Sequence, residues 1–207
     1  MSIQQDKEPG LLGLRIAIII LAAGKGTRMG EQPKLLLPLA DGKPVLWHTT
    51  HYALSLSANE VIVVTRPDLP EMAQAICDLD VRCISNPRYA EGMATSLAAG
   101  IEALESSKDA ALVMLGDEPY VNPLIIEALV SAYERERKPI TMPLYGDQPG
   151  PPTLFARESF SDLVKLEGDT GGRQLARKHP AWVCFVPFDE AMRPKDIDTP
   201  EDYNAIL

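Results

Sequence analysis

The chain has 207 residues, 45% of them hydrophobic, and carries 29 acidic against 20 basic side chains for a formal net charge of -9. That length and apolar content suffice for one sizeable core, and the acidic balance excludes the broad basic face that a nucleic-acid surface needs. The opening stretch, Met1 to Gly13, is polar, with Asp6, Lys7, Glu8, Pro9 and Gly10. It reads as a flexible tail ahead of a single domain over residues 14–207, and it lacks the basic start and continuous apolar centre of a signal peptide.

Short apolar runs then alternate with longer amphipathic ones. Strands are predicted at Arg15 to Leu21, Val61 to Thr65, Val81 to Ser85, Ala111 to Leu115, Ile140 to Leu144, Thr153 to Ala156 and Val183 to Phe188. Helices are predicted at Pro44 to Leu56, Leu69 to Cys77, Ala94 to Leu104, Pro123 to Glu136, Glu158 to Leu166, Gly172 to Lys178 and Pro200 to Leu207. The early strands are β-branched throughout, as expected of a mostly parallel sheet covered by helices on both faces, so the fold class is α/β. Ile16 to Ala23 is too short to cross a bilayer, and no membrane association is expected. Cys77, Cys83 and Cys184 show no metal-ligand or redox spacing; they read as small buried hydrophobes, and their odd number suits reduced thiols in a cytoplasm.

Directly after the first strand comes Ala22-Ala23-Gly24-Lys25-Gly26-Thr27-Arg28-Met29-Gly30-Glu31-Gln32-Pro33-Lys34. The glycines let successive backbone N–H groups converge on an anion, and Lys25, Arg28 and Lys34 reverse the local charge of an acidic chain. A small polyphosphate is the ligand this loop suits. A dinucleotide-binding turn is the nearest alternative, but the spacing G-x-G-x-x-x-G is one residue too long, and Thr65-Arg66 stands where a carboxylate would hold a ribose. An arginine there suits a 2′-phosphate, which leaves an NADP-dependent reductase as a competing class.

Four further segments fall near carboxyl ends of strands or at helix starts. Glu91-Gly92-Met93-Ala94-Thr95-Ser96 opens an alanine-rich helix; Thr95 or Ser96 is placed either to cap it or, as Ser96, to meet a ligand at a turn with open N–H groups. In Leu115-Gly116-Asp117-Glu118-Pro119, Asp117 is either a turn residue or a magnesium ligand that a triphosphate would complete. Gly168-Asp169-Thr170-Gly171-Gly172-Arg173 presents Arg173 either as an exposed helix-start residue or to the anion of a second substrate. In Asp196-Ile197-Asp198-Thr199-Pro200-Glu201-Asp202, Thr199 and Asp202 with Pro200 make a helix start, leaving Asp198 as a second metal ligand or a structural hydrogen-bonding group. His48 and His51, one helical turn apart beside Trp47, read as packing or solvated residues, and His179 has no obvious partner.

Leu21-Ala22-Ala23-Gly24-Lys25-Gly26-Thr27-Arg28-Met29-Gly30 with Pro33-Lys34, then Asn86-Pro87 through Ser96, Leu115 to Pro119 and Asp196 to Asp202, resembles the molybdenum cofactor nucleotidyltransferases across nearly the whole chain after the tail. The first motif is shared with sugar-nucleotide pyrophosphorylases and the methylerythritol-phosphate cytidylyltransferase, whereas Gly92 to Ser96 and Gly168 to Arg173 are more similar to the molybdenum cofactor cytidylyltransferase branch. The resemblance implies a three-layer, Rossmann-like nucleotidyltransferase fold with a mixed, mostly parallel sheet. Ala-Ala-Gly at the loop start is similar to CTP-using members, where guanylyl-transferring relatives usually show Ala-Gly-Gly. The run Pro149-Gly150-Pro151-Pro152 departs from the common Pro-Gly-His-Pro on the acceptor side.

The resemblance implies transfer of CMP from CTP to molybdopterin or the molybdenum cofactor, with magnesium as cofactor and release of pyrophosphate. Nucleotide binding would fall to Leu21, Ala22, Ala23, Gly24, Lys25, Gly26, Lys34 and Ser96, and acceptor binding to Arg173. Lys34, Arg28 and Asp117 would be catalytic, with Asp117 and Asp198 on the metal. A molybdenum hydroxylase or dehydrogenase apoenzyme would receive the product. A sugar phosphate or another phosphorylated acceptor, and a non-catalytic cofactor carrier, are the other readings.

Overall fold

A computed structural model describes residues 13–24, 33–56, 58, 60–169 and 171–206. The elements run β1 Ile16–Leu21, α1 Val45–Ser55, β2 Glu60–Thr65, α2 Glu71–Gln74, β3 Arg82–Ser85, α3 Met93–Glu102 and β4 Ala110–Leu115. They continue with α4 Pro123–Glu136, β5 Ile140–Tyr145, β6 Gln148–Pro149, β7 Thr153–Ala156, α5 Phe160–Leu163, α6 Gly172–Lys178, β8 Val183–Phe188 and α7 Pro200–Asn204. Of the segment expected to be a tail, Gly13 alone is described; residues 1–12, and with them that expectation, lie outside the described residues.

The eight strands form one mixed sheet in the order β3-β2-β1-β4-β7-β5-β6, with β8 pairing β5. The pairs β1–β2, β1–β4, β2–β3 and β5–β8 are parallel, whereas β7 runs antiparallel to both β4 and β5. Leu21 is level with Val64 on one side and with Leu115 on the other. Three strands therefore end together, and whatever follows them shares one edge of the molecule.

Side chains alternate across the pleat. Ile16, Ile18 and Ile20 of β1, Val61 and Val63 of β2, and Leu112 and Met114 of β4 pack with Val45 and Leu46 of α1 and Ile125, Leu129 and Val130 of α4. Ile19, Ile62, Val64 and Val113 face the opposite layer, with Leu97 and Ile101 of α3, Phe160 and Leu163 of α5, and Leu175 of α6. This is the three-layer α/β arrangement expected, and it explains why β1, β2 and β4 are apolar at successive positions: each is covered on both faces. Gly100, in mid-helix, is where α3 rests on β1; a Cβ there would come within 2.6 Å of Ile19 Cγ2.

Helices α4 and α6 keep both predicted ends. The predicted helix over Leu69 to Cys77 contracts to Glu71–Gln74. Beyond it the amides bond three residues back, Ile76 to Ala73, Cys77 to Gln74 and Leu79 to Ile76, since Ile, Cys and Asp are weak helix formers. Glu158 to Leu166 divides into a 3-10 turn at Arg157–Ser159 and the short α5. The capping box of α7 forms as its sequence indicates, Thr199 and Asp202 exchanging bonds with Pro200 in the first turn. Cys77 and Cys83 are exposed rather than buried, because the region around them is the margin of the sheet. No helix among the described residues is long and apolar enough to cross a membrane.

Candidate active site

The aligned ends of β1, β2 and β4 border a cavity of about 650 Å³. Leu21, Ala23 and Gly24 line it from β1, Arg66 from β2, Tyr89, Gly92, Met93 and Ser96 from the approach to α3, and Lys34, Asp117 and Asp198 from the other side. Ligands of open α/β sheets collect at such carboxyl ends. Strand order also gives the cavity a polarity: β1 lies between β2 and β4, so the Arg66 end and the Asp117 end stand about two strand spacings, ~10 Å, apart.

The acidic end is built from three separate segments. Gly116 donates its N–H to the Leu21 carbonyl at 3.0 Å, and the buried Thr49 hydroxyl donates to the Gly116 carbonyl at 2.9 Å, fixing Asp117 at the mouth of β4. Ile197, 1% exposed, anchors the third segment in the core, and its N–H donates to the Asp117 carbonyl at 3.3 Å. Lys34 follows Pro33 in a tight turn whose next residue, Leu35, is buried. Its ammonium meets Asp117 Oδ2 at 2.5 Å and Asp198 Oδ1 at 2.7 Å. Burial pulls the Lys34 ammonium down, but Asp117 and then Asp198 more than reverse this and hold it above the usual lysine value. It is a cation.

The residues flanking this trio form a second acidic pair. Glu118, 1% exposed, has its carboxyl driven well above the ordinary value by burial, then by hydrogen bonding and charge from Asp196, against which Arg173 acts weakly. Asp196 is also raised, chiefly by burial. Among the described residues, Oε2 of Glu118 finds no donor; protonation resolves this, since a neutral Glu118 can itself donate to Asp196. Arg173, on α6, is exposed but near enough to Glu118 for its charge to be felt there.

At the opposite end, the start of α3 is shaped by a strap from Gly168 and Asp169. Met93 N–H donates to Asp169 Oδ1 at 3.1 Å, and Ala94 N–H to the Gly168 carbonyl at 3.1 Å. The open first-turn N–H groups expected from the sequence are thus engaged by the protein itself. Gly92 makes the approach possible: its φ is +120°, and a Cβ would lie 2.5 Å from the Gly168 backbone. Neither Thr95 nor Ser96 caps the helix; both hydroxyls accept from Asn86 Nδ2 at 3.0 Å. Ser96 is buried yet borders the cavity. Arg66 lies over the Tyr89 ring at 5.5 Å, and Tyr89 donates its hydroxyl to Asp68 at 2.8 Å.

Of the residues singled out in the sequence, Leu21, Ala23, Gly24, Lys34, Ser96, Asp117 and Asp198 border one cavity. Ala22 is fully buried beneath it, its N–H donated to the Val64 carbonyl at 2.9 Å. Lys25, Gly26 and Arg28 lie outside the described residues. Arg173 is beside Glu118 rather than on the cavity wall. Glu118, Asp169 and Tyr89 were not singled out individually. Among the described residues, no group of three or more His, Cys, Asp or Glu side chains is arranged to hold a metal ion. Asp117 and Asp198, joined on one ammonium, fit a magnesium ion that takes one or two carboxylates and fills its shell with water and phosphate oxygens. His48 contacts Asp41 at 2.9 Å, His51 stacks on Trp47, and His179 stacks on Trp182.

The MobA-like NTP transferase domain matches residues 18–182, which include the cavity's β1, β2 and β4 walls. The chain belongs to that family. Its members' likenesses are uneven in extent. The bifunctional protein GlmU of Halorhodospira halophila (strain DSM 244 / SL1) is 38% identical over 117 residues, 56% of this chain but 24% of its own; the chain thus spans about a quarter of that relative's length. Nicotine blue oxidoreductase of Paenarthrobacter nicotinovorans is 28% identical over 91% of this chain and 95% of its own. The crystal structure of Rv0371c from Mycobacterium tuberculosis H37Rv, 28% identical, superposes with a TM-score of 0.77 over 93% of this chain and 98% of that one. The same protein has also been crystallised in complex with manganese.

Proposed function

We propose that this MobA-like chain transfers CMP from CTP to the terminal phosphate of molybdopterin or the molybdenum cofactor, releasing pyrophosphate. The observation that carries the transfer chemistry is the meeting of Lys34, Asp117 and Asp198 at one end of a cavity that Ala23, Gly24 and Pro33, the described ends of the glycine-rich segment, also border. The acceptor phosphate is already ionised and attacks the α-phosphorus without a protein nucleophile. Repulsion between two anions is then the obstacle. Lys34 is placed to neutralise the α-phosphate as charge shifts, with Lys25 and Arg28 assigned to the outer phosphates. Asp117 and Asp198 would hold magnesium, which would supply charge neutralisation to the phosphates and the leaving pyrophosphate. Ala23 narrows the base end, favouring a pyrimidine, and Ser96 borders the same end. Arg173 is assigned to the acceptor, and a molybdenum hydroxylase or dehydrogenase apoenzyme in the cytoplasm to receive the product.

The test is pyrophosphate release with magnesium and molybdopterin or molybdenum cofactor, comparing CTP, GTP and ATP, with sugar 1-phosphates as alternative acceptors. Release fastest with CTP supports the assignment. Release only with a sugar phosphate moves the acceptor, and stoichiometric pterin binding without release makes the protein a carrier. Similarity over nearly full length to nicotine blue oxidoreductase favours one second reading, an oxidoreductase. Oxidation of a nicotinamide cofactor in the absence of magnesium would select it.

A further inference from the structure

Lys34 stands where the two carboxylates assigned to the metal converge. Its ammonium lies 2.5 Å from Asp117 Oδ2 and 2.7 Å from Asp198 Oδ1, with the side chains of Lys34 and Asp117 only 15% and 17% exposed. A divalent ion bound by the same two oxygens would have to sit in the volume the ammonium fills. The two cations cannot share it: at contact distance, in a partly desolvated site, their repulsion opposes the attraction either one feels for the carboxylates. We infer that Lys34 acts as a built-in counter-cation in the ligand-free protein, so that a divalent ion gains Asp117 and Asp198 only as a nucleoside triphosphate draws the ammonium away.

The chemistry of the groups supports such an exchange. An ammonium has three donors on a flexible four-carbon stem. Two are spent on the carboxylates, and among the described residues the third is left for an arriving phosphate oxygen. On a chain of net charge -9, Asp117 and Asp198 oppose the approach of a triphosphate, and Lys34 between them offsets part of that charge. Once the ammonium turns to the phosphate, the vacated carboxylates attract the divalent ion that accompanies it. Metal and nucleotide then raise each other's affinity by the same factor, as linkage requires. The protein avoids a tight metal complex before the substrate is present. This inference rests on the proposed nucleotidyl-transfer reading for the identity of the nucleotide, but not for the exchange at the two carboxylates.

The experiment uses the full chain at neutral pH and Mn²⁺ as the probe, with free ion measured by electron paramagnetic resonance, with and without the non-hydrolysable analogue α,β-methylene-CTP. Lys34→Met removes the charge and keeps the length; it should bind Mn²⁺ without nucleotide about tenfold more tightly than wild type and show a correspondingly smaller effect of the analogue, within the usual range of coupling. Lys34→Arg, which keeps the charge, should stay near wild type. Adding Asp117→Asn to Lys34→Met should abolish the gain, and Lys43→Met, a surface lysine paired with Asp78, should change nothing. Circular dichroism establishes that each variant is folded. Mn²⁺ affinity of Lys34→Met equal to or below wild type, or too weak to detect, overturns the inference. Ordinary chelation by the nucleotide predicts that result, because it needs no displacement of lysine. If no nucleotide binds the wild type, the proposed function fails, and the nucleotide-free comparison still decides the role of Lys34.

Discussion

Lys34 and Asp117 are each held by the other, so truncating either leaves a charge partly buried and, on the proposed mechanism, takes a main electrostatic partner from the reacting phosphates. Lys34→Ala and Asp117→Ala should each keep the far-ultraviolet spectrum and lose ~10²- to 10³-fold in turnover, as losses of single transition-state contacts do. Turnover within a few-fold of wild type in either variant would remove the residue from the mechanism. Glu118 makes a different prediction. Its folded-state value lies well above the ordinary 4.5, so the folded protein holds this proton more tightly than the unfolded chain does. Its contribution to stability is fully present below about 4.5 and is lost as pH rises through the raised value. Melting temperatures of wild type and Glu118→Gln, followed from acid to alkaline pH, should therefore differ in slope, the wild type losing ground relative to the variant as pH increases. Parallel curves would show that Glu118 titrates normally.

At the scale of elements, the approach to α3 depends on a strap contributed from well down the chain. Asp169→Ala should cost about 0.5–1 kcal/mol, the usual worth of an exposed group at a helix start, and should weaken nucleotide binding several-fold while turnover at saturation changes little. Calorimetric titration against the chemical denaturation midpoint separates the two effects. A sequence cannot announce that strap: Asp169 sits among glycines that read equally well as a loop, and its partner is Met93, 76 residues away. The elements that were legible carried their own limits. Asn122 accepts from Leu124 N–H beside Pro123 at the start of α4, and β1, β2 and β4 are β-branched runs without competing helical periodicity. Leu69 to Cys77 had the periodicity of a helix but not the residues to sustain one, so tertiary position decided its length.

For the whole molecule, the site was legible one segment at a time and illegible in its joins. Lys34 and Asp198 are 164 residues apart, and only the sheet order brings the ends of β1 and β4 together with the segment anchored by Ile197. The pairing of Glu118 with Asp196 was hidden for the same reason, since its two members come from segments far apart in the chain. A ligand that binds across β1, β2 and β4 ties these distant pieces to one another. Magnesium with CTP at about 100 times the dissociation constant should then stabilise the fold by ~2.7 kcal/mol through binding alone. Thermal melting with CTP, GTP and ATP ranks the nucleotides before any acceptor is identified, and equal shifts for all three would remove the case for a pyrimidine pocket.

The bracket at Ile197 has a consequence for heat tolerance. Two buried residues, Pro194 and Ile197, carry Asp196 and Asp198 into place, yet α7 just beyond them buries no residue of its own. Segments with so little buried surface open well before a sheet covered on both faces does. On warming, catalysis should fail first while most of the backbone signal is intact, and it should return on cooling. The working temperature of the protein is set by how firmly this short segment stays seated on Pro194 and Ile197.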